Sequence, residues 1–180
     1  LPLDTAPIAR PRERGIVLPL AEFAAGADQL GFVNILADAD GTFRRYDVLR
    51  TWGPAGSEVR AYPSLALAAA VAPAGAYAAW YAPRELLLHP RGGARLPPDS
   101  RMLLNLRGPA FTFAKVKFVN ILESINRADN GQPPLYPPET FRGKTVFVGI
   151  HAEGLEDAHP TPLDDKLPGV ELHATALDNL

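Results

Sequence analysis

His151, Glu153, Glu156, Asp157, His159, Asp164 and Asp165 crowd one short stretch, and Glu171 and His173 follow close behind. Imidazoles and carboxylates at this density can ligate a divalent metal, or accept hydrogen bonds that shape a loop. His151, Asp157, His159 and either Glu171 or His173 would be the natural ligand set. Their spacings match no compact metal signature, so convergence would depend wholly on the fold. Carboxylates in structured loops more often bond backbone amides, and Asp157 is read that way here. No metal and no cofactor are expected.

Other chemistries fail on particular residues. Gly149 and Gly154 have phosphate-loop spacing, but Leu155 and Glu156 stand where Lys and Ser or Thr are required, and nearby acids would repel phosphates. Asp38-Ala-Asp-Gly41 has the look of a calcium loop, yet the position that should carry a bidentate Glu is Leu49; a hairpin turn explains Asp-Gly without an ion. None of the serines sits in a Gly-x-Ser-x-Gly elbow, and no His-Glu-x-x-His pair occurs. Hydrolytic and phosphoryl-transfer activities are therefore not expected. Asn105 and Arg107 close a predicted strand; Arg107 either holds an anionic ligand or pairs with an acidic residue of the long loop.

The elements that must position these residues follow from pattern. Lys144-Thr-Val-Phe-Val-Gly-Ile150 is a β-branched and aromatic run, which predicts a strand buried on both faces and interior to its sheet. Val170, His173, Ala174, Leu177 and Leu180 share one side of a helical wheel, so a helix is expected from Val170. The acidic loop joins the two, stiffened by Pro160, Pro162 and Pro168, and is too long to be a plain connector. His173, on the apolar side of its helix, should bury its ring and bond a loop partner, Asp157 first or else a loop carbonyl.

Upstream, residues 1–14 read as an extended leading arm and Val17–Ala25 as a short helix. Residues 31–37 and 43–52 read as hairpin strands about the Asp38–Gly41 turn. Pro63 opens a helix through Val71, and residues 85–89 and 102–106 read as strands. Phe118, Ile121, Leu122 and Ile125 define a helix stopped by Asn130-Gly131. The sum is an α/β fold: one domain over 1–180, a mixed sheet with helices packed on its faces, and a long loop between the last strand and the last helix.

Composition agrees. The 180 residues are 47% apolar and 21% charged, as in globular chains. The net charge is −2, with Lys and Arg scattered, so nucleic acid is not an expected partner. Cysteine is absent, which removes disulfides and thiol catalysis. The charge-free stretch between Arg60 and Arg84 holds Pro63, Pro73 and Gly75 and is mostly Ala; it reads as a helix and a turn, and no membrane span is expected.

Several blocks resemble a known family. Asn34 to Gly41 with Arg44-Arg45, then Leu104-Asn-Leu-Arg-Gly-Pro109 with Phe113, resemble the opening and middle of the type-two CHASE domains, the cyclase- and histidine-kinase-associated sensory extracellular modules. Phe141-Arg-Gly-Lys-Thr-Val-Phe-Val-Gly149, Ala152–Asp157, Thr161-Pro162 and Pro168–Ala174 resemble their closing block. Lys117 and Asn120 depart, where the family more often shows a Ser or Thr helix cap and an Asp. The resemblance implies a non-catalytic bacterial sensor domain on the extracytoplasmic face of the membrane. Transmembrane helices and a cytoplasmic cyclase, kinase or phosphatase output would follow it. It marks Asp157, Thr161, Pro162, Glu171 and His173 as signature positions that bind a signal or organise the loop.

Three readings of function follow: a module sensing an unknown small-molecule signal, a structural or homodimerising module without a ligand, and a metal-dependent hydrolase.

Overall fold

The computed structural model describes residues 17–52, 60–72, 79–82, 85–88, 92–94, 101–150 and 157–180. The leading arm, most of the 90–100 loop, and His151, Glu153 and Glu156 lie outside them. Helices and strands mix along the chain, as the α/β reading expects. In order they are α1 (Ala21–Ala25), β1 (Arg45–Asp47), β2 (Leu49–Trp52), β3 (Arg60–Pro63), α2 (Leu65–Val71), β4 (Ala79–Ala82), β5 (Glu85–Leu88), β6 (Gly92–Ala94), β7 (Arg101–Leu103), α3 (Phe118–Asp129), β8 (Ala158–His159), β9 (Leu167–Pro168) and α4 (Gly169–Asn179).

The sheet is subdivided. Among the described residues the strands pair antiparallel as β1–β7, β2–β3, β4–β5–β6 and β8–β9. Tyr46 lies opposite Met102, and His159 opposite Leu167. A parallel bridge joins Phe32 to Ser64.

The predicted hairpin keeps its turn and loses its pairing. Asp38 and Thr42 close the turn at 2.9 Å, and Gly41 takes the positive φ of 82° that the bend demands. Beyond it, the return strand splits at Val48, so that β1 faces β7 and β2 faces β3. The first arm instead lies against the start of α2, where Phe32 exchanges backbone hydrogen bonds with Pro63 and Leu65 at 3.0 and 2.9 Å. A Cβ on Gly31 would fall 2.7 Å from the Leu65 backbone, so glycine permits that approach.

The expected interior strand at residues 145–150 is not formed. Lys144 is tied back to the Phe141 carbonyl at 3.1 Å, and the following residues join no strand. Val146, Val148 and Ile150 are 57%, 79% and 65% exposed. The apolar run supplied the propensity to pair, but no described strand runs alongside it. Gly149 does approach α4, where an added Cβ would lie 2.6 Å from Val170 Cβ.

The helices follow their sequence signals more closely. Ser64 caps α2 by accepting the Leu67 N–H at 3.2 Å. At the end of α3, Gln132 N–H reaches the Arg127 carbonyl and Gly131 N–H the Ala128 carbonyl, with Gly131 left-handed. That is the Schellman arrangement expected of Asn-Gly. Lys117 occupies the N-cap of α3 without a side-chain cap bond, the consequence of lacking a hydroxyl there.

The core has two adjoining parts. Tyr46, Ala66, Leu104, Leu167, Leu172 and Ala176 form one; Val48, Leu67 and Val71 form the other; Met102 and Leu180 pack against both. The buried face of α4 therefore runs through Leu172 and Ala176, with Gly169, His173 and Thr175, and is rotated from the face the wheel suggested.

Candidate functional site

Helix α4 is the element on which the expected site residues meet. It packs against α2 and β9. Polar side chains then fasten it along its length.

At its N-terminal end, Asp157 accepts the Gly169 N–H through its backbone carbonyl at 2.7 Å. Its carboxylate pairs with His159 Nε2 at 2.8 Å and lies beside Gly169 Cα, close to the positive end of the helix dipole. The His159 ring lies 4.3 Å from that of Phe43.

One turn on, His173 is buried at 7% exposure, as expected of it. Its partner is different: Nδ1 lies 2.7 Å from the Tyr46 hydroxyl on β1, with the two rings edge to face. The expected Asp157 bond is not made, because that carboxylate is taken by His159. Burial pushes the His173 imidazole below its ordinary value; the Asp157 charge pulls it up, and His159 pushes it down. Burial also pushes the Tyr46 phenol up.

Glu171 faces another way. It is almost fully buried, and its Oε1 accepts the Phe111 N–H at 2.7 Å. The neighbouring Ala110 N–H goes to Asp164 at 2.8 Å, and the other Asp164 oxygen takes the Lys166 N–H at 2.8 Å. Those two amides hold the Asp164 carboxyl below the usual carboxylate range. Thr161 builds the turn that presents Asp164: it is buried, its hydroxyl accepts the Asp164 N–H at 3.1 Å, and it donates to the Asp164 carbonyl at 3.0 Å. Phe111 itself has a φ of 67°, in the left-handed region that phenylalanine seldom enters, and Lys115 Nζ sits 3.4 Å over its ring.

The last turn of α4 is fastened from the strand side. Asn105 and Asn179 bond reciprocally, at 2.7 Å from the Asn105 N–H and 3.4 Å back to its carbonyl. Arg107 Nε meets Asp178 at 2.5 Å, so the acid it meets is on the helix and not on the loop. Asp178 raises the guanidinium above its ordinary value.

Asp157, Thr161, Glu171, His173, Asn105 and Arg107 thus all fall on or around α4. Pattern reading missed Tyr46, Ser64, Asp164 and Asp178. Tyr46 carried a usable signal, since a tyrosine inside a buried strand must find a partner for its hydroxyl. Among the described residues no group of three or more His, Asp or Glu could hold a metal ion.

Comparison with protein families gives a match over nearly the full length. The model of the CHASE2 domain covers residues 5–180, essentially the whole chain. The chain belongs to the CHASE2 family. No curated protein and no solved structure matched it in the same comparisons. CHASE2 domains are sensory extracellular domains, a class defined by signal input and not by catalysis. In this CHASE2 domain no helix of the described residues is long and apolar enough to cross a membrane.

Proposed function

We propose that this CHASE2 domain is the extracytoplasmic input module of a membrane-bound bacterial signal transducer, with an adenylate or guanylate cyclase or a histidine kinase as output. Family membership supports the sensor role. The observation that carries the mechanism is the fastening of α4. The 157–168 loop holds its first turn, the 108–112 loop holds Glu171, and Asn105 and Arg107 hold its last turn. A small-molecule signal engaging either loop would shift α4 as a unit, and the transmembrane helices of the parent protein would relay that shift. Asp157, Thr161, Glu171, Asn105 and Arg107 are the residues such a signal would perturb.

The test uses the natural absence of cysteine. Val148→Cys in the membrane-bound parent should react with a membrane-impermeant maleimide in intact cells. Labelling only after lysis would overturn the extracytoplasmic placement. Arg107→Ala should alter output activity of the same parent; unchanged output would remove α4 fastening from the signalling path.

A second reading has its own observation. Phe118, Leu122 and Ile125 lie along α3 at 62%, 51% and 54% exposure, and Val146, Val148 and Ile150 add further apolar surface. Such surface favours self-association over a ligand-free monomer. Sedimentation of the chain and of Leu122→Glu distinguishes the two: a dimer that Leu122→Glu dissociates supports association through α3.

A further inference from the structure

Ala66, Tyr46 and His173 form a hydrogen-bond chain with a fixed direction. The Ala66 N–H can only donate, so the hydroxyl proton of Tyr46, itself 1% exposed, is left to His173 Nδ1. Nδ1 is then a bare acceptor for the Tyr46 hydroxyl, 2.7 Å away. The Tyr46 oxygen in turn accepts from the Ala66 N–H at 3.4 Å. Every donor and acceptor in this chain is satisfied by a neutral imidazole.

An imidazolium does not fit. A proton on Nδ1 makes it a donor aimed at the Tyr46 oxygen, and the Tyr46 hydroxyl proton loses its acceptor. Tyr46 is 1% exposed, so water cannot take that proton.

The surrounding charges do not offset the new one. From the 157–159 segment, the Asp157 carboxylate faces the ring but is engaged by His159, which opposes a charge on His173. On the β1 side, Asp47 is paired with Arg50 at 2.8 Å and Arg101 at 3.1 Å. On α4 itself Glu171 is turned to the Phe111 amide, and α2 carries no charged residue.

We propose that the Tyr46–His173 junction is a proton-operated catch that holds α4 against β1 and α2 when neutral and releases it when protonated. It needs no ligand, so it stands apart from the small-molecule reading above. Because the folded ring binds its proton less readily than the unfolded one, the catch is fully closed above the ordinary histidine value. It opens as pH falls below ~6.5.

Hydrogen exchange of the Leu172–Ala176 amides in the full chain, corrected for intrinsic rates, tests this between about pH 7.5 and pH 5.5. Protection of α4 should fall on acidification relative to α3, by up to roughly tenfold per pH unit. His173→Gln, which offers an oxygen to Tyr46 without titrating, should show no such fall. His159→Gln should retain it. The ring nitrogen shifts of the unsubstituted chain decide the matter even if the Gln variant fails to fold. A His173 ring titrating at or above the ordinary value overturns the catch, as does the same pH response with and without it.

Discussion

The Phe111 backbone N–H is bonded to the Glu171 carboxylate, 2.7 Å away and sixty residues further along the chain. Phe111 is also the described non-glycine residue with a positive φ. The two facts belong together. A left-handed backbone at phenylalanine costs roughly 1–2 kcal/mol, and it persists where tertiary bonds determine it. Glu171 and Asp164, on adjacent amides, supply those bonds.

Glu171→Ala should therefore release the 108–112 loop as well as destabilise the chain. The lost bond is part-buried and should cost about 1 kcal/mol. Glu171→Gln keeps an acceptor oxygen and should cost less. Denaturant unfolding gives the first quantity and limited proteolysis near Phe111 the second. Equal stability and unchanged cleavage in Glu171→Ala would show that the carboxylate does not hold the loop.

Gly169 is required by its neighbour. A Cβ there would overlap the Asp157 carboxylate and come within 3.0 Å of His159 Nε2. Gly169→Ala should cost about 1–3 kcal/mol, the usual range for overpacking. Asp157→Ala in the same chain should recover part of that loss, since it removes the obstructing oxygen. Strict additivity of the two changes in a double-mutant cycle would contradict the close approach.

Legibility of the sequence divided along physical lines. Local signals were read well: Pro63 as the opening of α2, Asn130-Gly131 as a stop, and Asp38–Gly41 as a turn each depend on neighbours within a few residues. The Thr145–Ile150 run was misread because burial is decided by what lies alongside, and period and propensity carry no information about that. His173 divides the same way. Its burial followed from the helical wheel, whereas Tyr46 as its partner depends on the β1–β7 register. Asp157 seemed nearer in the chain, but His159 at two residues' distance had already claimed it.

Asp164 gives the chain an acid-sensitive fastening. Its folded carboxyl is held below the ordinary aspartate value by the Ala110 and Lys166 amides. Its contribution is present above the unfolded value, ~3.9, and is lost as pH falls through the lower folded one. Urea midpoints should thus drop less steeply with acid in Asp164→Asn than in the parent chain. Parallel acid profiles would mean that the carboxylate charge adds nothing to those two bonds.

Ser64 caps α2 two residues before the Ala66 N–H that Tyr46 accepts, and this makes it a test of the chain that runs to His173. Its oxygen accepts the Leu67 N–H. It is fully buried, so no water replaces that bond. Ser64→Ala should cost about 1–2 kcal/mol for the cap. A further loss should arise because the uncapped first turn no longer holds the Ala66 N–H on the Tyr46 oxygen, 3.4 Å away. That second loss needs the phenol, so in a Tyr46→Phe background Ser64→Ala should cost only the cap. The coupling between the two substitutions, read from urea unfolding of all four chains, should be on the order of 0.5 kcal/mol or more. Additive costs would mean that Ser64 caps α2 independently of Tyr46, and the hydrogen-bond chain would then end at the tyrosine.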